Sequence, residues 1–181
     1  IPGLNVVIAS TPLDAYGLLR TALETPGVTL FFEDREIRDD LLKETDCRIE
    51  GGIGFGYALE RRNGNIKPDC TVVTYGLMRQ MTEQAVDPML NIDLIDLRSI
   101  YPIDWPAIRR SVARSRKLLV IEPDVEYGGV GAEIAATIAE SLPGVLVKRL
   151  GGRRATIPAT VDQHDRMMPH AEEIVHACTS W

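Results

Sequence analysis

Short apolar runs alternate along the chain with stretches whose apolar residues recur every three to four positions, which predicts strands alternating with helices. NVVIA at 5–9 is a β-branched run that ends in Ser-Thr-Pro. Thr11 can cap a helix there, Pro12 fits its first position, and Asp14 suits the positive end of the helix dipole. Ala15, Leu18, Leu19, Ala22 and Leu23 then mark one helical face, and Pro26-Gly27 ends it. VTLFFE at 28–33 closes a strand–helix–strand unit, expected to be a right-handed parallel crossover.

From Asp34 to Pro68 the periodicity dissolves: charges crowd 34–50, then Gly51, Gly52, Gly54 and Gly56 follow in quick succession. This reads as a linker over 41–65. Beyond it TVVTY at 71–75, IDLIDL at 92–97, LLVIE at 118–122 and VLVKR at 145–149 predict strands, each followed by a helix. The helix after LLVIE is the clearest, with Val130, Ile134, Ile138 and Leu142 at every fourth position. The last helix lies within 169–178 and carries Ile174, Val175 and Cys178 inward.

Four such units predict an open α/β domain over 66–181, a parallel sheet covered on both faces. Two strands and one helix cannot bury both faces of a sheet, so residues 1–40 read as the last part of another α/β domain. The absence of an initiator methionine agrees with a piece of something longer.

Charge narrows the function. The net charge of −6 is acidic on both sides of Asn65, which argues against a nucleic-acid partner. No apolar run approaches a membrane span and no signal-peptide layout opens the chain. Cys47, Cys70 and Cys178 are odd in number and form no C-x-x-C, which points to a reducing compartment.

The candidate chemistry is sparse. GGVGAEIA, Gly128 to Ala135, follows a strand and opens a helix, where a phosphate could sit. Its spacing departs from G-x-G-x-x-G, so a tight strand-to-helix turn is the commoner reading. The G-x-G-x-G of Gly52, Gly54 and Gly56 precedes no good helix. Arg109, Arg110, Arg114, Arg116 and Lys117 read as a solvated helix face. Arg149, Arg153 and Arg154 could meet an acidic partner or a phosphate. His164, His170 and His176 have no metal-ligand spacing. Glu33 and Glu122 end strands at the carboxyl edge where open α/β folds bind ligands, although capping or salt-bridge duty is the commoner fate of such acids.

Taken in order, IPGLNVV-x-x-STP-x-DA-x-GLL, FFE, VVTYG, DLRSIYPID, LLVIE, GGVGAEIA and the Ile-Pro at 157–158 resemble the carboxyl-terminal half of the beta subunit of thiamine-diphosphate-dependent 2-oxo acid dehydrogenases, of the pyruvate type. The resemblance implies that residues 1–40 end a pyrimidine-binding domain and that 66–181 are a transketolase-type carboxyl-terminal domain. It implies decarboxylation of a 2-oxo acid on thiamine diphosphate and acyl transfer to a lipoyl group. The implied partners are an alpha subunit, a second beta subunit and a dihydrolipoyl acyltransferase core, in the cytoplasm or, in a eukaryote, the mitochondrial matrix. Family members carry the cofactor-activating glutamate and the active-site histidine upstream of PGL-x-VV, and the magnesium motif on the alpha subunit. The expectation is therefore that this half supports assembly and holds neither thiamine diphosphate nor magnesium by itself. A potassium ion can bind in the family at positions matching Ala22, Leu23, Thr25 and Gly27; Thr25 stands where an Asp is often found. The segment after FFE lacks the family's I-P-L-G-K/R-A stretch, and Arg153-Arg154 replaces a place often acidic. The alternatives are a non-catalytic assembly or docking module, and a diverged transketolase-like enzyme such as 1-deoxyxylulose-5-phosphate synthase.

Overall fold

The computed structural model describes residues 2–34, 37, 52–61, 66–86, 90–156, 158, 160 and 166–181, without the side chains of Leu59 and Arg61. Cys47, Gly51, Ile157, His164 and most of 34–50 lie outside the described residues.

The strands are β1 (Leu4–Ile8), β2 (Val28–Phe32), β3 (Leu59–Arg61), β4 (Cys70–Thr74), β5 (Ile92–Asp96), β6 (Ser99–Tyr101), β7 (Lys117–Val125) and β8 (Leu146–Gly152). The helices are α1 (Pro12–Glu24), α2 (Leu77–Ala85), α3 (Trp105–Ser115), α4 (Val130–Ser141) and α5 (Ala171–Thr179). The expected open α/β fold is present. The larger sheet runs β3-β5-β4-β7-β8, with β5, β4, β7 and β8 parallel and β3 antiparallel at one edge.

Alternation along its buried strands builds two cores, one on each face. Val73, Leu118 and Val120 point to the side covered by α3 and α4, where they meet Ile108, Val112, Ile134 and Ile138. Cys70, Val72, Leu119 and Ile121 point to the other side, where α2 and α5 bring Met78, Ile174 and Cys178. The α3 side also buries polar groups: Thr71 hydrogen-bonds Ser111 and Ser115 at 2.8 Å each, and Ser111 donates to Asp93 at 2.7 Å.

The smaller sheet departs from expectation. β1 and β2 are parallel as predicted, from Leu4↔Val28 to Ile8↔Phe32, but a third strand joins them. β6 pairs antiparallel with β1, Val6 opposite Tyr101 and Val7 opposite Ser99. A three-residue strand between Arg98, at φ +54°, and Pro102 carries too little alternation to be read from sequence. Within the stretch read as a linker, 59–61 forms β3, and Gly52 and Ile53 pack on α1. Ile53 N–H donates to Gly17 O at 3.0 Å, and a Cβ at Gly17 would stand 2.5 Å from Ile53 Cγ1.

α1 begins as expected, with Thr11 Oγ1 accepting from Asp14 N at 3.1 Å and Pro12 in the first turn. Its buried face is rotated from the predicted one. Asp14, Gly17 and Leu18 are buried, whereas Leu19 and Leu23 are 47% and 82% exposed. Leu18 and Ala15 of the predicted face do pack with Val7 and Ala9, but the rest of the seat is Asp14 and Gly17, which a periodicity built on apolar residues cannot register. Tyr16, Leu19 and Leu23 on α1, and Val28, Leu30 and Phe32 on β2, form exposed apolar surface.

Candidate functional site

The carboxyl ends of β1, β4, β5 and β7 lie together, the edge at which open α/β sheets bind ligands. Two buried carboxylates occupy it, Asp96 at the end of β5 and Glu122 in β7.

Asp96 ties the two sheets together. Ser10, just beyond β1, donates its hydroxyl to Asp96 Oδ1 at 2.8 Å and accepts from Gly76 N at 2.9 Å. Gln80 of α2 donates to the Ser10 carbonyl at 2.8 Å. Gly76 is required by its φ of +58° and by contact, since a Cβ there would lie 2.9 Å from Ile8 Cδ1. Arg98 donates its backbone N–H to Asp96 Oδ1 at 3.3 Å. Its guanidinium meets the buried Asp14, with Nε 2.6 Å from Oδ1, a charge contact whose N–H direction falls outside hydrogen-bond geometry. Thr11 donates to the other Asp14 oxygen at 2.6 Å. Asp96 Oδ2 is buried with no hydrogen bond, and Arg79 Nε stands 3.9 Å from it. Burial first and the Asp14 charge second push the Asp96 carboxyl up to about 6, against the opposing Ser10, Arg79 and Arg98.

Glu122 decides what GGVG does. Gly131 N donates to Glu122 Oε2 at 3.0 Å and Tyr75 donates its hydroxyl to the same oxygen at 3.3 Å. Oε1 has no partner. Burial pushes the carboxyl up, opposed by Gly131, Tyr75 and Arg149, and burial with the Glu122 charge pushes the Tyr75 hydroxyl well above its usual range. The helix N-terminus that could cradle a phosphate thus already holds a carboxylate of its own chain. The glycines make room for it: Cβ atoms at Gly129 and Gly131 would stand 2.5 and 2.6 Å from its oxygens, and Gly128 has φ +77°. Gly131→Ala should therefore destabilise the fold. Overpacking of about 1–3 kcal/mol exceeds the gain of up to about 1 kcal/mol from alanine in a helix. Thermal unfolding of the variant reads this directly, and unchanged stability would show that Glu122 can retreat.

The cationic clusters are spent within the chain. Arg110 pairs with Glu60 at 2.5 Å, Arg114 with Asp93 at 3.3 Å, and Arg116 donates to Pro143 O at 2.5 Å. Arg109 lies over the Trp105 ring at 5.8 Å. Lys117 lies over Trp181 at 5.6 Å. Arg149 donates to Glu126 O at 2.5 Å, Arg153 stands 3.7 Å from Glu173, and Arg154 covers Tyr127 at 4.7 Å. His170 caps α5 in a reciprocal box with Glu173, and His176 sits in that helix's last turn. Glu33 is exposed beyond β2. Ala22 and Leu23 close α1, Thr25 caps it through N–H to Thr21 O, and Gly27 follows at φ +111°. Among the described residues, no group of three His, Cys, Asp or Glu side chains could hold a metal ion, and no helix is long and apolar enough to cross a membrane.

This edge therefore caps helices and joins sheets, and its hydroxyl–carboxylate pairs, Ser10 with Asp96 and Tyr75 with Glu122, are buried within the chain. Sequence reasoning overlooked Ser10, Asp14, Asp96 and Arg98 as one cluster, although STPLDA and DLRSIYPID carry all four.

Comparison with known proteins accords with that geometry. Residues 56–174 match the family model described as transketolase, C-terminal domain. The chain is 34% identical over 158 residues to the 2-oxoisovalerate dehydrogenase subunit beta of Bacillus subtilis, covering 83% of this chain and 47% of that protein. It is 29% identical over 185 residues to the mitochondrial pyruvate dehydrogenase E1 component subunit beta of Pisum sativum, covering 97% and 51%. It thus spans about half the length of these curated relatives. A solved structure titled as a split-gene transketolase, an inactive beta4 tetramer, superposes with a TM-score of 0.82 at 19% identity, over 99% of this chain and 58% of that one. That likeness concerns the fold.

Proposed function

The chain belongs to the family of the transketolase C-terminal domain, and from that premise we propose that it forms part of the beta subunit of the decarboxylating component of a 2-oxo acid dehydrogenase. One observation carries the reading: alignment with a dehydrogenase beta subunit runs through 97% of the chain, well beyond the residues 56–174 that the family model covers. The unit outside that model is the one Ser10, Asp14 and Arg98 bind to the larger sheet.

Its role is assembly. The partners are an alpha subunit, a second beta subunit and an acyltransferase core that receives the acyl group on lipoyl. Thiamine diphosphate, bound with magnesium by the complete enzyme, supplies the electron sink for decarboxylation. The buried carboxylates of this chain do not fit that metal, because Asp96 and Glu122 are enclosed among their own chain's donors. For potassium the fit is one of donor type: the last carbonyls of α1, at Ala22 and Leu23, lack helical partners, and those of Thr25 and Gly27 are oxygen donors of the same kind. The domains are proposed as 1–40, 41–65 and 66–181, the middle stretch containing β3.

Pyruvate is the proposed substrate; 2-oxoisovalerate is the second reading, favoured by the 34% identity to a subunit acting on it by name. A polypeptide carrying these residues, copurified with its alpha subunit, should release carbon dioxide from pyruvate and acylate a lipoyl domain. Activity with 2-oxoisovalerate alone selects the second reading, and activity with neither overturns both. Residues 1–181 by themselves should give no heat on titration with thiamine diphosphate and magnesium. Micromolar binding would contradict the assembly role.

A further inference from the structure

The outer side of α1 carries a stripe that its own sheet does not use. Ala15 and Leu18 pack toward β1, which leaves Tyr16, Leu19 and Leu23 at 52%, 47% and 82% exposure. These three follow the i, i+3, i+7 spacing of a seam between paired helices. Between them lies an open groove of about 430 Å³ lined by Tyr16, Leu19, Arg20, Leu23 and Glu24. Tyr16, Leu19, Arg20 and Leu23 stand at i, i+3, i+4 and i+7, the four positions that make a hole for one side chain of a facing helix.

Charge and shape indicate what fills it. The apolar knob most available is Leu23, the most exposed of the large apolar side chains among the described residues. The groove is flanked by one cation and one anion, Arg20 and Glu24, paired along the helix at 3.2 Å with side-chain exposures of 47% and 64%. Glu24 stands at the negative end of α1, whose last turn holds no basic residue, so a cation beside it is favoured. A second α1 running antiparallel brings its Arg20 to this Glu24 and its Glu24 to this Arg20. The surface is therefore complementary in charge to itself. The exposed side chains of β2 belong to a different surface: Phe31 packs on the α1 side of the small sheet, and alternation puts Val28, Leu30 and Phe32 on the opposite face.

We propose that two copies of this chain pack α1 against α1, antiparallel across a two-fold axis, with Leu23 of each entering the groove of the other and Arg20 of each pairing with Glu24 of the other. Three apolar side chains per copy, at on the order of 100 Å² each, put the contact at the small end of protein interfaces. By itself it makes a weak dimer, visible at high protein concentration. It gives the second beta subunit a place to bind, and for that setting it rests on the proposed function.

Sedimentation equilibrium of the purified chain at rising concentration should show monomer and dimer in exchange. Leu23→Glu should weaken the dimer about tenfold or more with an unchanged melting curve. Phe32→Ser, on the opposite face of the sheet, should leave association as it was. Arg20→Glu and Glu24→Arg should each dimerise about tenfold more weakly than the parent, because two ion pairs become two like-charge contacts. Mixed in equal amounts, the two charge variants should recover most of the lost association, since each then meets its opposite across the axis. A chain that stays monomeric throughout, a dimer that survives Leu23→Glu or is lost in Phe32→Ser, or charge variants that mixing does not rescue would each overturn the proposal. So would loss of alpha-subunit copurification in Leu23→Glu with self-association intact, which assigns the groove to that subunit. Association is read without substrate, so a dimer formed by a polypeptide that decarboxylates neither oxo acid would count against the proposed function and leave this contact standing.

Discussion

Replacing Arg98 with alanine should destabilise the protein by about 3–5 kcal/mol, the cost of stranding a buried charge whose partner is removed. Arg98 is the cation that faces the buried Asp14 at 2.6 Å, with side-chain exposures of 16% and 1%. It also lies among the groups that favour the charged form of Asp96. Without it two enclosed carboxylates confront each other, supported by Thr11 and Ser10 hydroxyls and by an Arg79 whose closer partner is Glu83 at 2.8 Å. Alanine relieves nothing in return, because it must still adopt the φ of +54°. Urea unfolding monitored by tryptophan fluorescence would measure the loss. Asp14→Asn combined with Arg98→Ala should cost less than the sum of the single variants, since the double variant strands one carboxylate fewer. A loss below about 1 kcal/mol would show that the junction behaves like an exposed ion pair.

The Asp96→Asn variant should outlast the parent protein in urea at neutral pH and lose that advantage in acid. A carboxyl raised from 3.8 to about 6 binds its proton more tightly in the folded state than in the unfolded one. Its contribution to stability is therefore fully present below about pH 4 and is lost as pH rises through about 6. Holding the proton over roughly two further pH units is worth about 3 kcal/mol across that window. Asparagine keeps an acceptor for Ser10 and for Arg98 N–H but carries no charge to bury. The difference in unfolding free energy between variant and parent should grow by about that amount from pH 4 to pH 7. A constant difference would mean that Asp96 titrates as an ordinary surface acid. The two experiments are linked: protonating Asp96 removes one of the charges that Arg98 compensates, so Arg98→Ala should be least harmful at the acid end.

Much of the architecture was legible because the larger sheet obeys two simple periods. LLVIE and TVVTY are continuous apolar runs because both faces of β7 and β4 are covered, and Ile134 and Ile138 repeat at the helical spacing. The commoner readings of GGVG as a tight turn and of Glu122 as a capping acid also hold, although nothing in the sequence says that one serves the other. What stayed hidden is polar and non-local. Asp96 and Ser10 are 86 residues apart, and a hydrogen bond over that span leaves no periodic trace. β6 lacks the length to alternate. The inner face of α1 is built from Asp14, Gly17 and Leu18, so a search for apolar stripes finds Leu18 but adds Leu19 and Leu23, which face outward. The cationic cluster around Arg114 reads as solvated because its partner, Asp93, is sealed inside a strand.

The ladder between β1 and β6 also bears on how such subunits can be recombined. A crossover placed in the charged stretch after β2 would look harmless by sequence, because no apolar periodicity runs through it. It would nonetheless pair Val6 and Val7 of one parent with Ser99 and Tyr101 of the other, and set one parent's Ser10 against the other's Asp96. Inheritance at this junction is therefore by matched segments: chimaeras that take STPLDA and DLRSIYPID from the same parent should fold, and those that split them should not.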